Sequence, residues 1–170
     1  MPDSTTPSAS EIAAGYFDCV TRQDIDGMIA CWKPGGKARF VGMDELQVDR
    51  DYPSWFGNLF SCFPDFRFEV VNIIGSGEEA SVHWRATGTF DGEGIFEGFR
   101  PNGATIDIEG IDLLTLENGR IVRITVLLNG LELARQLGAV PARGSFADRA
   151  MANAFNAKTA LAAKLRELRS

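Results

Sequence analysis

The chain has 170 residues, enough for one domain with a substantial core. Hydrophobic residues make up 45% and charged residues 24%, the profile of a globular rather than a disordered chain. A net charge of -6 argues against a nucleic-acid partner, because such proteins concentrate positive charge.

Residues 1–7, rich in Ser, Thr and Pro, read as a loose tail. Ser8 with Glu11 makes a capping box, and Ile12, Tyr16, Phe17 and Val20 follow at helical spacing. Asp24 caps a second, short helix with Ile25, Met28, Ile29 and Trp32 inward, which Pro34-Gly35-Gly36 stops. Residues 37–42 suit a short strand. A third helix is expected from about Asp51 to Phe63, with Pro53 in its first turn and Trp55, Leu59, Phe60 and Phe63 inward.

From Arg67 the period switches to two. Strands are expected over 67–74, 80–90, 104–116 and 120–128, with a Gly-rich, bulged segment over 90–99. Asn118-Gly119 is a two-residue hairpin signal. A helix over 129–137 ends at Gly138. A last helix after Ser145 places Phe146, Met151, Phe155, Leu161, Leu165 and Leu168 near one face. The segment 142–170 is basic while the body is acidic, and the simplest expectation is a helix docked on its own acidic body. Helices followed by a meander of long strands give an α+β fold, a curved antiparallel sheet enclosing a small apolar pocket.

Three cysteines without a CxxC pair, and a single histidine, offer neither a disulfide framework nor a Cys/His zinc set. The start, MPDSTTPSAS, has no basic or apolar leader pattern, and no run approaches the roughly 20 apolar residues that span a bilayer. A cytoplasmic protein without membrane partners is expected.

Phe63-Pro64-Asp65, Thr87-Gly88-Thr89, Gly110-Ile111-Asp112, Asn118-Gly119-Arg120-Ile121 and Gln136-Leu137-Gly138, in that order, resemble the SnoaL-like polyketide cyclases of the nuclear transport factor 2-like superfamily. The resemblance spans about residues 10–140. It implies a cone-shaped α+β barrel over 8–141, often a homodimer, with 142–170 as a helical extension. It also implies ring closure by intramolecular aldol condensation without metal or organic cofactor, on a small hydrophobic carbonyl compound. The superfamily includes isomerases, epoxide hydrolases and non-catalytic binding domains, so the fold does not select a function.

Asp112 shares a strand face with Ile106, Ile108, Gly110 and Leu114. A carboxyl on such a face is expensive to ionise, which suits a general acid or hydrogen-bond donor. Tyr16, in the apolar stripe of helix one, is placed like the oxyanion-binding tyrosine of ketosteroid isomerases, with Asp112 placed like their aspartic acid. The isomerase base has no counterpart near Phe40 and Val41. The cyclase aspartate expected on or just after the last strand is also missing, because no carboxylate lies between Glu117 and Glu132. Asn129 is the nearest polar equivalent, and it equally suits an N-cap with Glu132. His83 has a pKa suited to proton transfer, on a face that alternation alone does not orient. Asp107 and Glu109 lie opposite Asp112 and suit ion pairs with Arg85 and Arg123. Trp55, Phe60, Ile108, Ile124, Val126 and Leu128 are candidates for an apolar ligand wall. A cyclase or isomerase, a non-catalytic binding or dimerisation domain, and an epoxide hydrolase all remain open, Val126 counting against the last.

Overall fold

The computed structural model describes residues 7–167. The elements in chain order are α1 (Ala9–Thr21), α2 (Ile25–Ala30), β1 (Trp32–Phe40), β2 (Glu45–Gln47), α3 (Val48–Cys62), β3 (Arg67–Ser76), β4 (Glu79–Phe90), β5 (Ala104–Glu117), β6 (Arg120–Leu128), α4 (Gly130–Gln136) and α5 (Phe146–Glu167). The strands form one curved, open sheet in the order β2-β1-β6-β5-β4-β3. Every neighbouring pair is antiparallel except β1 with β6, which makes the sheet mixed.

Local chemistry accounts for most boundaries. Ser8 accepts from the Glu11 N–H while Glu11 reaches back to the Ser8 N–H at 2.7 Å, so the N-cap and N3 donors at the start of α1 are satisfied reciprocally. Asp24 caps α2 through the Gly27 N–H. Asn118 and Gly119 have φ of 51° and 74°, the signature of the primed turn that suits a hairpin's twist. Asp65, just past α3, accepts from the backbone N–H and hydroxyl of Thr89 at 2.6 and 2.8 Å. That ties the Phe63-Pro64-Asp65 segment to the far end of β4, and Phe63 stacks on Phe90 at 4.8 Å.

The N-terminal elements depart from expectation. Trp32 belongs to β1, not to α2, and is buried there. Pro34-Gly35-Gly36 does not end a helix but forms an irregular stretch inside β1, where the pairing with β6 slips between Trp32 and Lys37. α3 starts at Val48, so Pro53 lies inside the helix; Asp51 accepts from the Gln47 N–H at 2.7 Å. Its buried stripe is Val48, Tyr52, Phe56, Leu59 and Cys62.

Alternation holds along β4 and β5. Val82, Trp84 and Ala86 face inward with Ile106, Gly110, Asp112 and Leu114, and α1 and α3 cover this concave face. On the convex face Arg85 pairs with Asp107 through two hydrogen bonds, and His83 Nε2 lies 3.3 Å from Glu109. Arg123 pairs with Glu45 at 2.8 Å rather than with Asp107 or Glu109. No described residue of α5 is buried, so the basic helix does not dock on its own body, and an ion pair of 3.6 Å between Arg135 and Asp148 ties its start to α4. Leu168 lies outside the described residues.

Candidate functional site

A cavity of about 410 Å³ lies between the concave sheet face and the helices. Its wall is dominated by aromatic and aliphatic side chains, and its size falls within the range of small-molecule sites. Of the candidate wall residues, Trp55, Ile108, Val126 and Leu128 line it. Phe60 and Ile124 do not: Phe60 packs against Phe56 and Phe66, and Ile124 is fully enclosed in the core.

The polar groups of the deep end converge from four elements. Asp112, on β5, is the single buried residue with a charge-bearing acidic or basic side chain among those described, 6% exposed. Trp84 Nε1 donates to its Oδ1 at 2.7 Å. Tyr16 from α1 and Tyr52 from α3 also line the cavity, with their hydroxyls 3.2 Å apart. Both phenols are almost wholly buried, which pushes their pKa values upward, and the Asp112 carboxylate raises both further. Asp112 is pushed up to about 7: burial raises it, and the Trp84 hydrogen bond offsets part of that. Near neutral pH it therefore exchanges a proton readily, whereas the tyrosines stay protonated as donors.

Asn129 and His83 are not brought to this constellation. The Asn129 side chain accepts from the Glu132 N–H at 3.1 Å and caps α4, leaving the residue exposed at the strand end. His83 sits on the convex face beside Glu109, on the opposite side of β4 from Trp84. Phe40 and Val41 line the cavity and contribute no carboxylate there.

Two polar lining residues, Tyr52 and Glu97, escape sequence reasoning. Tyr52 lies inside the expected helix but off the expected stripe of Trp55, Leu59, Phe60 and Phe63; the observed inward stripe runs Val48, Tyr52, Phe56, Leu59 and Cys62. Glu97 lies in the Gly-rich 91–103 connection, where neither period applies. Among the described residues no group of three or more His, Cys, Asp or Glu is placed to hold a metal ion. No helix there is long and apolar enough to cross a membrane.

Comparison with solved structures finds the same fold at low identity. A SnoaL-like polyketide cyclase of Jannaschia sp. CCS1, so assigned provisionally, shares 24% identity at a TM-score of 0.70, covering 83% of this chain and 100% of its own. AclR of Streptomyces galilaeus, provisionally a hydroxylase, shares 22% at 0.69, covering 95% and 96%. IdmH of Streptomyces antibioticus, provisionally a polyketide cyclase, shares 19% at 0.64, covering 76% and 98%. No curated protein matches the sequence. The SnoaL-like domain model matches residues 13–124, more than half of the chain and a span that includes Tyr16, Tyr52, Trp84 and Asp112, so the protein belongs to the SnoaL-like domain family.

Proposed function

We propose that the cavity binds a small hydrophobic carbonyl compound and that Asp112 moves a proton on it without a cofactor. The observation that carries this reading is a buried carboxyl with a pKa near neutrality beside two protonated phenols in an apolar cavity. Ionised Asp112 removes a proton α to the carbonyl, and Tyr16, oriented by Tyr52, donates to the developing enolate oxygen. The carbon nucleophile then takes the proton back at another carbon, as in an isomerase. Alternatively it attacks a second carbonyl, whose alkoxide receives the proton from Asp112, as in an aldol cyclase. The names of the Jannaschia and IdmH neighbours favour the cyclase; Tyr16 and Asp112 alone serve either.

A non-catalytic binding domain is the second reading, favoured by the deep end's single carboxyl and by Asn129 serving as a cap. An epoxide hydrolase has less support, because no Arg is among the described residues of the lining and Val126 occupies the last-strand position. A thermal-shift screen of aromatic ketones and polyketides, with product analysis of each hit, tests the proposal. Turnover by the wild type and none by Asp112→Asn supports it; hits that yield no product favour the binding domain.

The reading extends to a homodimer. The convex sheet face exposes Val71, Ile74, Ile111, Leu113 and Leu127, and α5 exposes Phe146, Met151, Phe155, Leu161 and Leu165. A second copy fits both surfaces at once, because the basic α5 would lie against the acidic body of its partner.

A further inference from the structure

The cavity has a second polar end. Phe96 and Phe99 exchange both backbone hydrogen bonds, at 3.0 and 2.9 Å, and close a two-residue turn on Glu97 and Gly98. Glu97 has φ of 49° and Gly98 of 84°. Gly, Asn and Asp take such a first turn position at little cost, whereas a glutamate there is strained. Strain of this kind collects where a side chain must be held in place for use.

The surroundings show what is held. Phe96 is buried against Trp55 and Phe63 and anchors the turn. Trp55 Nε1 donates to Glu97 Oε1 at 2.9 Å, fixing the carboxylate. Its other oxygen meets no hydrogen-bond donor or cation among the described residues. Glu97, Gly42, Met43 and Trp55 line both the cavity and an open hollow of about 560 Å³ beside it, where Asp44 adds a second carboxylate. Glu97 is exposed, so it stands at the solvent end while Asp112 stands at the buried end. No Lys, Arg or His is among the described residues lining the cavity.

We infer that Glu97 is a specificity residue, accepting a hydrogen bond from a hydroxyl or ammonium group at the outer end of the ligand and rejecting a carboxylate or phosphate there. The inference rests on the binding reading proposed above, in which Asp112 and Tyr16 engage the carbonyl. The ligand is then a flat apolar body with an acceptor oxygen at one end and a donor at the other. An anionic ligand meets like charge at the mouth and no cation along the wall.

Three probes differ only at the outer end: 6-acetyl-2-naphthol, its methyl ether and 6-acetyl-2-naphthoate. Their dissociation constants are measured at neutral pH with the full chain, its Glu97→Gln and Glu97→Gly variants, and Asp112→Asn. The wild type binds the naphthol about tenfold tighter than the ether and the naphthoate about tenfold weaker, the scale of one hydrogen bond to a charged group. Glu97→Gln brings the naphthoate to within about twofold of the ether on the same scale. Glu97→Gly erases both preferences yet melts higher than the wild type, because glycine relieves the positive φ. Asp112→Asn weakens all three probes without changing their order. An unchanged order in both Glu97 variants overturns the inference and leaves the binding reading intact. If no probe binds the wild type, both fall.

Discussion

Trp84 on β4 donates to Asp112 on β5 at 2.7 Å although the two are not paired across the strands. Trp84 faces Gly110, and Asp112 faces Val82. The indole crosses above Gly110 to reach the carboxyl two residues along, and a Cβ on Gly110 would lie 2.2 Å from Trp84 Cζ2. The missing side chain at position 110 is therefore what lets the tryptophan hold the acid. Gly110→Ala should displace the indole and cost about 1–3 kcal/mol, as overpacking does. Urea unfolding gives the cost, and a changed tryptophan emission spectrum reports the displacement.

Asp112 makes stability depend on pH in a definite direction. Its folded pKa, about 7, is raised well above the ordinary aspartate value of about 4, so its protonated form is favoured in the folded state. The contribution is fully present below about pH 4, falls as pH rises through 7, and is constant above that. The span is on the order of 4 kcal/mol at 1.36 kcal/mol per unit. Asp112→Asn, which has no proton to lose, should show a flatter profile, gaining on the wild type between about pH 4 and 7 and keeping that gain above. Unfolding free energies across that range check it.

The Tyr16–Tyr52 hydrogen bond joins two helices inside the cavity. Removing either hydroxyl leaves its partner buried without that bond. Tyr16→Phe and Tyr52→Phe should each destabilise by about 1–3 kcal/mol, and the double variant by less than their sum. A double-mutant cycle from denaturant unfolding measures the coupling. In the proposed reaction Tyr16→Phe also lowers turnover more than it weakens binding.

The exposed apolar faces give an assembly prediction. Leu113→Asp on the convex sheet and Phe155→Asp on α5 should each convert a dimer to a monomer in sedimentation, with circular dichroism unchanged. A wild type that sediments as a monomer at micromolar concentration would contradict the homodimer.

The β-rich half was legible because alternation, turn residues and an aspartate on an apolar face all agree along β4, β5 and β6. Asp112 stood out for that reason, and Ile108, Val126 and Leu128 followed from the same alternation. The β1–α3 region was obscured by its own local signals. Pro34-Gly35-Gly36 carries the residues of a helix stop, yet its place is set by pairing with β6, more than 80 residues away. Asp51 resembles a helix start but bonds back to Gln47 from inside α3, and Trp55 and Phe60, bulky enough to suggest the inward stripe, drew it away from Tyr52 and Phe56. Glu97 had no pattern to expose it, because its position depends on a turn pinned by Phe96. Alternation along β4 separates His83, with Ser81, Arg85 and Thr87, from Val82, Trp84 and Ala86, but which of the two faces lines the cavity is set only by the helices that cover it.

The central claim is that Asp112 is a buried acid that changes protonation near neutral pH inside the cavity. The most direct measurement is the infrared difference spectrum of wild type minus Asp112→Asn across pH. A protonated carboxyl band present near pH 5, lost by pH 9 and titrating around 7, is the result expected. A carboxylate already ionised near pH 5 would contradict the account.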